Sequence, residues 1–164
     1  MTTESLAPRT DAVRRSDQAA HASAPVAAAR AAARFSKSME VALADVGLSL
    51  PQYRLLAFLS GGPERATALA GWLDVSPPSL TALVDGAVAR KLVERVASEE
   101  DRRCVRHVIT DAGNEALGRA DDAVALRLAA VTEHLSPAQA KKALEGLELL
   151  GRALDLAREA RDAE

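Results

Sequence analysis

The sequence has little of what disulfide frameworks, metal centres and catalytic sites are made from. It contains one cysteine, Cys104, and three scattered histidines, His21, His107 and His134. One cysteine excludes an intramolecular disulfide and a cysteine-rich zinc site, and the histidine spacing does not indicate a metal site. No glycine-rich phosphate loop and no Ser/His/Asp or Cys/His arrangement is found. We therefore predict a protein that is not an enzyme, with no catalytic residue, metal or cofactor.

Long apolar runs and a strong net charge are missing as well. The longest uncharged apolar run is far shorter than the roughly 20 residues of a membrane span. No basic segment followed by an apolar one begins the chain, so we expect a cytoplasmic protein without a membrane partner. Lysine and arginine number 21 against 23 aspartate and glutamate residues, for a net charge of −2. A nucleic-acid partner would therefore have to be recognised through local placement of charge.

Alanine is abundant, at 36 of 164 positions, whereas only 2% of the residues are aromatic. Alanine has the highest helix propensity, and strands favour β-branched and aromatic residues. The composition therefore predicts a mainly α-helical protein and excludes an all-β sandwich or barrel. Arginine outnumbers lysine 17 to 4, which together with the alanine content indicates a GC-rich bacterial genome.

Two N-terminal regions are expected before the central domain. Residues 1–24 are interrupted by serine, threonine and proline and are predicted to form a flexible tail or a weak extra helix. Residues 25–60 are predicted to form helices for dimerisation and support. Pro25 suits the first turn of the first of these helices, and Ser49 with Gln52 forms a capping box that begins the next.

Residues 61–110 carry the pattern of a winged helix-turn-helix. A short helix is followed by a break, and a serine with two prolines then begins a second helix over about 76–90. Two short segments rich in β-branched residues, 92–96 and 104–109, flank a polar stretch, which predicts a β-hairpin. The start of the second helix can enter a DNA major groove, and the hairpin tip, about 97–103, can place arginine at the adjacent minor groove.

Residues 111–164 are predicted to form two C-terminal helices that dimerise. Thr110 suits an N-cap for the first, and Ser136 with Gln139 forms a capping box that begins the second. The apolar positions of the last helix are spaced alternately four and three residues apart, as in a coiled coil. They are Ala143, Leu147, Leu150, Leu154 and Ala157. In so short a chain such a seam needs a second copy to cover it, so a homodimer is expected.

The sequence resembles the MarR family of bacterial transcriptional regulators from about Val26 to the C-terminus. The motifs that carry the resemblance are GLSLPQY at 47–53, LA at 69–70, DVS at 74–76, LVD at 83–85, LVER at 92–95, DRR at 101–103 and ITDAG at 109–113. The resemblance implies a winged helix-turn-helix flanked by N- and C-terminal dimerisation helices. It also implies a homodimer that controls transcription, often as a repressor that a small phenolic or anionic ligand releases from a pseudo-palindromic operator in double-stranded DNA.

The resemblance also indicates which residues contact DNA. The start of the second helix, which would face the bases, supplies Ser76, Pro77, Pro78, Ser79 and Thr81. The wing would carry Arg102 and Arg103, with Asp101 pairing with the second arginine to hold the shape of the wing. Further cations are suited to phosphate contacts, which set register and not sequence preference, namely Arg65, Arg90, Lys91 and Arg95.

Two departures from the family pattern keep an alternative open. Ala82 and Gly86 occupy positions where many relatives carry basic residues. Between Glu64 and Arg106, seven basic and seven acidic side chains cancel, so we expect modest, salt-sensitive affinity for DNA. The alternative is a dimeric winged helix that has lost sequence-specific DNA binding and docks a partner protein.

The few large rings and the cysteine and histidine of the wing each allow two interpretations. Phe35, Tyr53 and Trp72 could line a ligand pocket between the dimer helices and the winged helix, or they could be ordinary core residues. For Cys104 and His107, local packing is the favoured interpretation, and the sequence supports neither a redox sensor nor a pH sensor.

Overall fold

The computed structural model describes the backbone of residues 9–97 and 104–162 and the side chains of residues 25–97 and 104–161. Within this part of the chain, the regular structure is helical except for three short strands. The elements are α1 (Arg9–Asp45), α2 (Leu50–Leu59), β1 (Glu64–Arg65), α3 (Ala66–Leu73), α4 (Pro77–Ala89), β2 (Val93–Ala97), β3 (Val105–Ile109), α5 (Asp111–Thr132) and α6 (Pro137–Asp162). The prediction of a mainly α-helical fold with a small β wing is confirmed.

The chain divides into two compact units, Met1–Ser38 and Met39–Glu164. The first unit holds the N-terminal part of α1, and the second holds the end of α1 and every later element. The division predicted from the sequence, into regions that end at residues 24, 60 and 110, stays a prediction.

Helix α1 begins at Arg9 and contains Pro25 in its interior. The prediction that Pro25 lies in the first turn is therefore wrong, because α1 is one continuous helix from Arg9 to Asp45. A proline inside a helix removes one backbone hydrogen bond and crowds the preceding turn. The alanines on both sides have the highest helix propensity, and they continue the helix across the proline.

The helix starts predicted from capping residues agree with the structure. The hydroxyl oxygen of Ser49 accepts a hydrogen bond from the Gln52 amide at 3.3 Å, and the Gln52 side-chain oxygen accepts from the Ser49 amide at 3.1 Å. At the start of α5, the Thr110 hydroxyl oxygen accepts from the Gly113 amide at 3.0 Å. Each cap gives a partner to an amide that the helix itself leaves unpaired.

The predicted β-hairpin is part of an antiparallel sheet of three strands in the order β1-β3-β2. In its central row, Glu64 of β1 and Arg95 of β2 lie on either side of His107 of β3. Strand β1 was not predicted, because a strand of two residues is too short to show the alternation by which strands are recognised.

The core of the second unit lies among α2, α3, α4 and the base of the sheet. Its largest fully buried side chains are Leu43, Leu55, Leu56, Leu59, Leu69, Val84 and Val93. Helix α4 buries Leu80, Val84 and Ala87, which fixes the opposite face of the helix toward solvent. Burial of one such leucine or valine stabilises the fold by about 1.5–3 kcal/mol.

Helices α5 and α6 leave large apolar side chains exposed. Leu126 is 74% exposed, and Leu150, Leu154 and Leu156 are each more than 60% exposed.

Among the described residues, no helix has the length and apolar character needed to cross a membrane. The same part of the chain holds no cluster of three or more His, Cys, Asp or Glu side chains suited to a metal ion.

Candidate DNA-binding interface

The start of α4 presents hydroxyl groups and proline rings to solvent. Ser76 is the N-cap, and its hydroxyl oxygen lies 3.4 Å from the Ser79 amide, which donates to it, and 2.9 Å from the Ser79 hydroxyl. Pro77 and Pro78 have no amide hydrogen, so this helix start offers few backbone donors to a phosphate. Its exposed surface is suited to base edges and thymine methyl groups.

Thr81 lies one turn further along α4 and is exposed. Its hydroxyl donates to the Pro77 carbonyl oxygen at 3.0 Å. The hydroxyl hydrogen is therefore used within the helix, and the oxygen keeps lone pairs that can accept a hydrogen bond. Toward DNA, Thr81 can act as an acceptor and as a methyl group.

The outward face of α4 carries Pro78, Ala82 and Asp85, all exposed. These residues share one face because they are four and three positions apart in a helix of 3.6 residues per turn. Asp85 forms an ion pair with Arg95 of β2, with Nη2 donating to Oδ1 at 2.5 Å.

The ion pair shows how the wing lies against α4. Asp85 is near the middle of α4, and Arg95 is the central residue of β2. The Leu92 amide donates to the Ala87 carbonyl oxygen at 3.0 Å, whereas Arg95 pairs with Asp85, one position nearer the middle of α4 than Gly86. As far as Ala97, β2 therefore runs back along α4 in the direction of Ser76. The predicted wing residues Asp101, Arg102 and Arg103 lie outside the described residues.

Arg90 and Lys91 lie at the other end of α4, about 20 Å from Ser76 along the helix axis. The Arg90 guanidinium donates from Nη1 to the Gln52 side-chain oxygen at 3.1 Å. Lys91 has a left-handed backbone with φ of 59°, and its carbonyl oxygen accepts from the Thr110 hydroxyl at 2.7 Å. Their assignment to DNA phosphates stays a prediction.

Arg65 lies on β1, directly opposite Arg106 of β3. Residues opposite each other on antiparallel strands point to the same side of the sheet, so two guanidinium groups lie on one face. Arg106 was missed in the sequence analysis. The alternation within β3 could have indicated it, but its neighbour Arg65 could not be placed without β1.

His107 is 5% exposed, and its Nδ1 lies 3.3 Å from the Glu64 carbonyl oxygen. Burial lowers the pKa of His107; the hydrogen bond to Glu64 opposes this effect, and the charge of Arg95 adds to it. The packing interpretation of His107 therefore agrees with the structure. Cys104 is half-buried and lies just before β3.

A cavity of about 540 Å³ lies among α2, α3 and α6 in the second unit. Tyr53 and Trp72 line it, together with Leu154 and Arg158 of α6; their role in binding a ligand stays a prediction. The Trp72 ring is 4.1 Å from the Phe58 ring, centroid to centroid. Phe35 belongs to the first unit, and its role in a pocket stays a prediction.

The cavity has one buried polar group that the sequence analysis did not find. Arg158 is 15% exposed and pairs with Asp155 at 3.4 Å, and its Nε has no hydrogen-bond partner among the described residues. The helical period places Arg158 one turn beyond Leu154. The sequence could not show that this turn lies beside Trp72, some 80 residues away.

The Tyr53 hydroxyl, also at the cavity, donates to Asp121 Oδ1 of α5 at 2.8 Å. Burial, and then the hydrogen bond to Asp121 and its charge, raise the pKa of Tyr53 to about 12. The phenol therefore remains a neutral donor at physiological pH and links α2 to α5.

Known proteins are similar to this chain in sequence and fold. The MarR family model matches residues 46–103. The transcriptional repressor CouR, solved bound to a 23-mer DNA duplex, is 30% identical; the match covers 76% of this chain and 89% of CouR, with a TM-score of 0.66. This chain belongs to the MarR family.

Two further relatives illustrate the range of MarR-type proteins. The HTH-type transcriptional regulator YpoP of Bacillus subtilis is 39% identical over 74 residues, which cover 44% of this chain and 52% of YpoP. The chain thus spans about half the length of that relative. The MarR family protein Rv2887 of Mycobacterium tuberculosis, solved with p-aminosalicylic acid, is 26% identical; the match covers 77% of this chain and 97% of Rv2887, with a TM-score of 0.65.

In this MarR-family chain, the predicted site residues fall into separate groups. Those of the α4 start lie together at the N-terminal end of that helix. Arg95 lies beside the middle of α4, and Arg90 and Lys91 lie at the far end. The cavity is a separate feature, formed by α2, α3 and α6.

Proposed function

We propose that this MarR-family protein is a homodimer that binds a pseudo-palindromic operator in duplex DNA and regulates transcription in the bacterial cytoplasm. It acts as a repressor that a small ligand releases. The observation that carries this proposal is the exposed, serine-capped start of α4, in whose direction the described part of β2 runs. A recognition helix led by its N-terminus and flanked by a wing is the arrangement that reaches both grooves of DNA.

The roles of individual side chains follow from this placement. Ser76, Ser79 and Thr81 would meet base edges, and the two prolines would make apolar contacts with thymine methyl groups. Arg65, beside Arg106, would contact a phosphate, and the wing arginines Arg102 and Arg103 would lie at the minor groove.

A second copy of the chain is proposed because α6 exposes a row of leucines. Leu147, Leu150 and Leu154 are 40%, 62% and 66% exposed in the single chain. Their alternating spacing is that of a coiled-coil seam, which a second copy would cover. Two recognition helices would then meet half-sites separated by about one helical turn, roughly 10 base pairs.

The ligand is proposed from the cavity. Its walls are mostly apolar and aromatic, and Arg158, which pairs with Asp155 through Nη1, supplies a guanidinium group at the wall. An aromatic or phenolic ring carrying a negative charge fits such a site, because the ring is buried and the charge pairs with the guanidinium.

Fluorescence anisotropy tests the DNA-binding role. The purified protein is titrated onto duplex DNA from upstream of its own gene, with excess random competitor, at two salt concentrations. Binding is expected to survive the competitor and to weaken with salt. Arg65→Gln should weaken it, whereas Arg161→Gln, an equal change of charge on the exposed end of α6, should not. Light scattering of the same samples should give the mass of a dimer.

The second candidate is a winged-helix module that docks a protein and does not read DNA. Ala82, on the outward face of α4 where a basic residue is common in the family, favours it. Failure of the protein to bind either operator or random duplex at low salt would support this alternative and contradict the regulator.

A further inference from the structure

We propose that Arg95 and Asp85 form a positioning pair that fixes the wing against the recognition helix, and that Arg95 does not contact a DNA phosphate. The inference rests on the proposed DNA-binding function and assigns to Arg95 a role different from the one its charge alone indicates. In this role the pair holds the two DNA-contacting parts of the winged helix relative to each other.

The geometry places this pair between those two parts. Asp85 lies on the outward face of α4, one turn beyond Ala82 and Thr81. Arg95 is the central residue of β2, which leads directly to the wing tip. The contact from Nη2 to Oδ1 is 2.5 Å. This ion pair joins strand β2 of the wing to α4.

Electrostatics explains why the pair is needed at this position. A carboxylate on the face of α4 that enters the groove would be repelled by the phosphates on both sides. Arg95 cancels that charge, and its planar guanidinium has fixed donor directions, so it orients the strand as well as neutralising the helix. If Arg95 turned to a phosphate instead, Asp85 would be left unpaired toward the DNA.

Arg65 shows the contrasting case. It is exposed, and among the described residues no side chain forms an ion pair or hydrogen bond with it. Its guanidinium is therefore available to a phosphate without breaking a contact within the protein. The two arginines have the same charge but different surroundings, and Arg65 serves as the matched control.

The pair is exposed, 40% for the arginine and 57% for the aspartate side chain. Exposed ion pairs contribute little to the free energy of unfolding. A purely structural role would therefore change the melting temperature slightly and leave DNA discrimination unchanged. A positioning role changes the discrimination between operator and random DNA.

The test uses the double variant Asp85→Asn/Arg95→Gln, which has the same net charge as the unaltered protein. Anisotropy is measured on an upstream duplex and on a random duplex of equal length, from about 50 to 200 mM NaCl. We expect the ratio of the two affinities to fall about tenfold. The slope of log affinity against log salt should not change, because no phosphate contact is lost. Arg65→Gln should reduce the slope by about 0.9.

Two results would overturn the inference. A slope reduced by about 0.9 in the double variant would make Arg95 a phosphate contact. An unchanged slope together with an unchanged ratio of operator to random affinity would show that the pair does not contribute to DNA recognition. If the double variant does not fold, the single variant Asp85→Asn is measured instead. A lower ratio of upstream to random affinity in that variant supports the positioning role of the pair, and an unchanged ratio contradicts it. Absence of binding by the unaltered protein to both duplexes would instead overturn the proposed function itself.

Discussion

The guanidinium of Arg158 lies over the ring of Trp72, with its central carbon 3.6 Å from the ring centroid. The contact joins the last helix, α6, to α3, the first helix of the helix-turn-helix. It also forms part of the cavity wall. A molecule that enters the cavity would therefore meet both the C-terminal helix and the DNA-binding part of the protein.

Trp72 is the only tryptophan in the sequence, so its emission can report binding in the cavity. Titration with benzoate, a simple aromatic carboxylate, is expected to change the emission saturably. Arg158→Gln should weaken this binding about tenfold, because a charge-assisted hydrogen bond to the carboxylate is lost. Arg152→Gln, on the same helix but outside the cavity lining, is the control. Equal affinity of both variants would contradict a role for Arg158 in anion binding.

Thr81→Val should lower affinity for the operator about tenfold and leave affinity for random duplex unchanged. The change keeps the shape of the side chain and removes the oxygen, whose hydrogen is already donated to the Pro77 carbonyl. The lost interaction would be an acceptor for an adenine or cytosine amine. Thr81→Ser, which keeps the oxygen, should retain most of the preference. The measurement is anisotropy against operator duplexes changed one base pair at a time; a preference identical to that of the unaltered protein would contradict base contact.

Acid should destabilise the sheet through His107. Its pKa in the folded protein is below the usual value of 6.5, so the unfolded chain binds a proton first as the pH falls. The free energy of unfolding therefore decreases below about pH 6.5 and continues to decrease until the pH reaches the folded pKa. The melting temperature should fall from pH 7.5 to 5.5 more steeply in the unaltered protein than in His107→Gln. Parallel curves would show that His107 does not contribute.

Lys91→Gly should stabilise the protein by about 0.5–1 kcal/mol. A lysine in the left-handed region is strained, and glycine relieves the strain at some cost in the entropy of the unfolded chain. Gly47, with φ of 74°, is the converse control, because Gly47→Ala should destabilise. Urea unfolding measures the free energy of unfolding of both variants. A lower value for Lys91→Gly than for the unaltered protein would mean that contacts of the lysine side chain stabilise the fold by more than the backbone strain costs.

Gly113→Ala should destabilise the fold by about 1–3 kcal/mol or more, the range for overpacked cores. A methyl group there would lie 2.2 Å from the Leu92 carbonyl oxygen and 2.7 Å from the Ile109 side chain. Gly118→Ala, on the same helix with open space around it, should be neutral or stabilising. Similar melting temperatures for the two variants would contradict the close approach of α5 to the base of the wing.

The local signals in this sequence were the most predictive. Ser49, Ser76 and Thr110 each cap a helix where expected, because a cap depends only on a hydroxyl and an amide three residues later. Proline is a weaker signal: Pro25 lies inside α1, since the surrounding alanines decide whether the helix continues. Strand β1 was not predictable, because two residues are held in the sheet by β3 and not by their own pattern.

The sequence by itself determined the capped helix starts at Ser49, Ser76 and Thr110, the two strands of the wing and the resemblance to MarR regulators, since these depend on residues close together in the chain. Only the tertiary structure decided the surroundings of each charged side chain. Arg65 and Arg95 look alike in sequence, yet one lies open to solvent and the other on Asp85. Trp72 likewise meets Arg158 only because α6 lies beside α3. Such contacts depend on how separate elements pack, and no local pattern encodes the partner of a side chain across that distance.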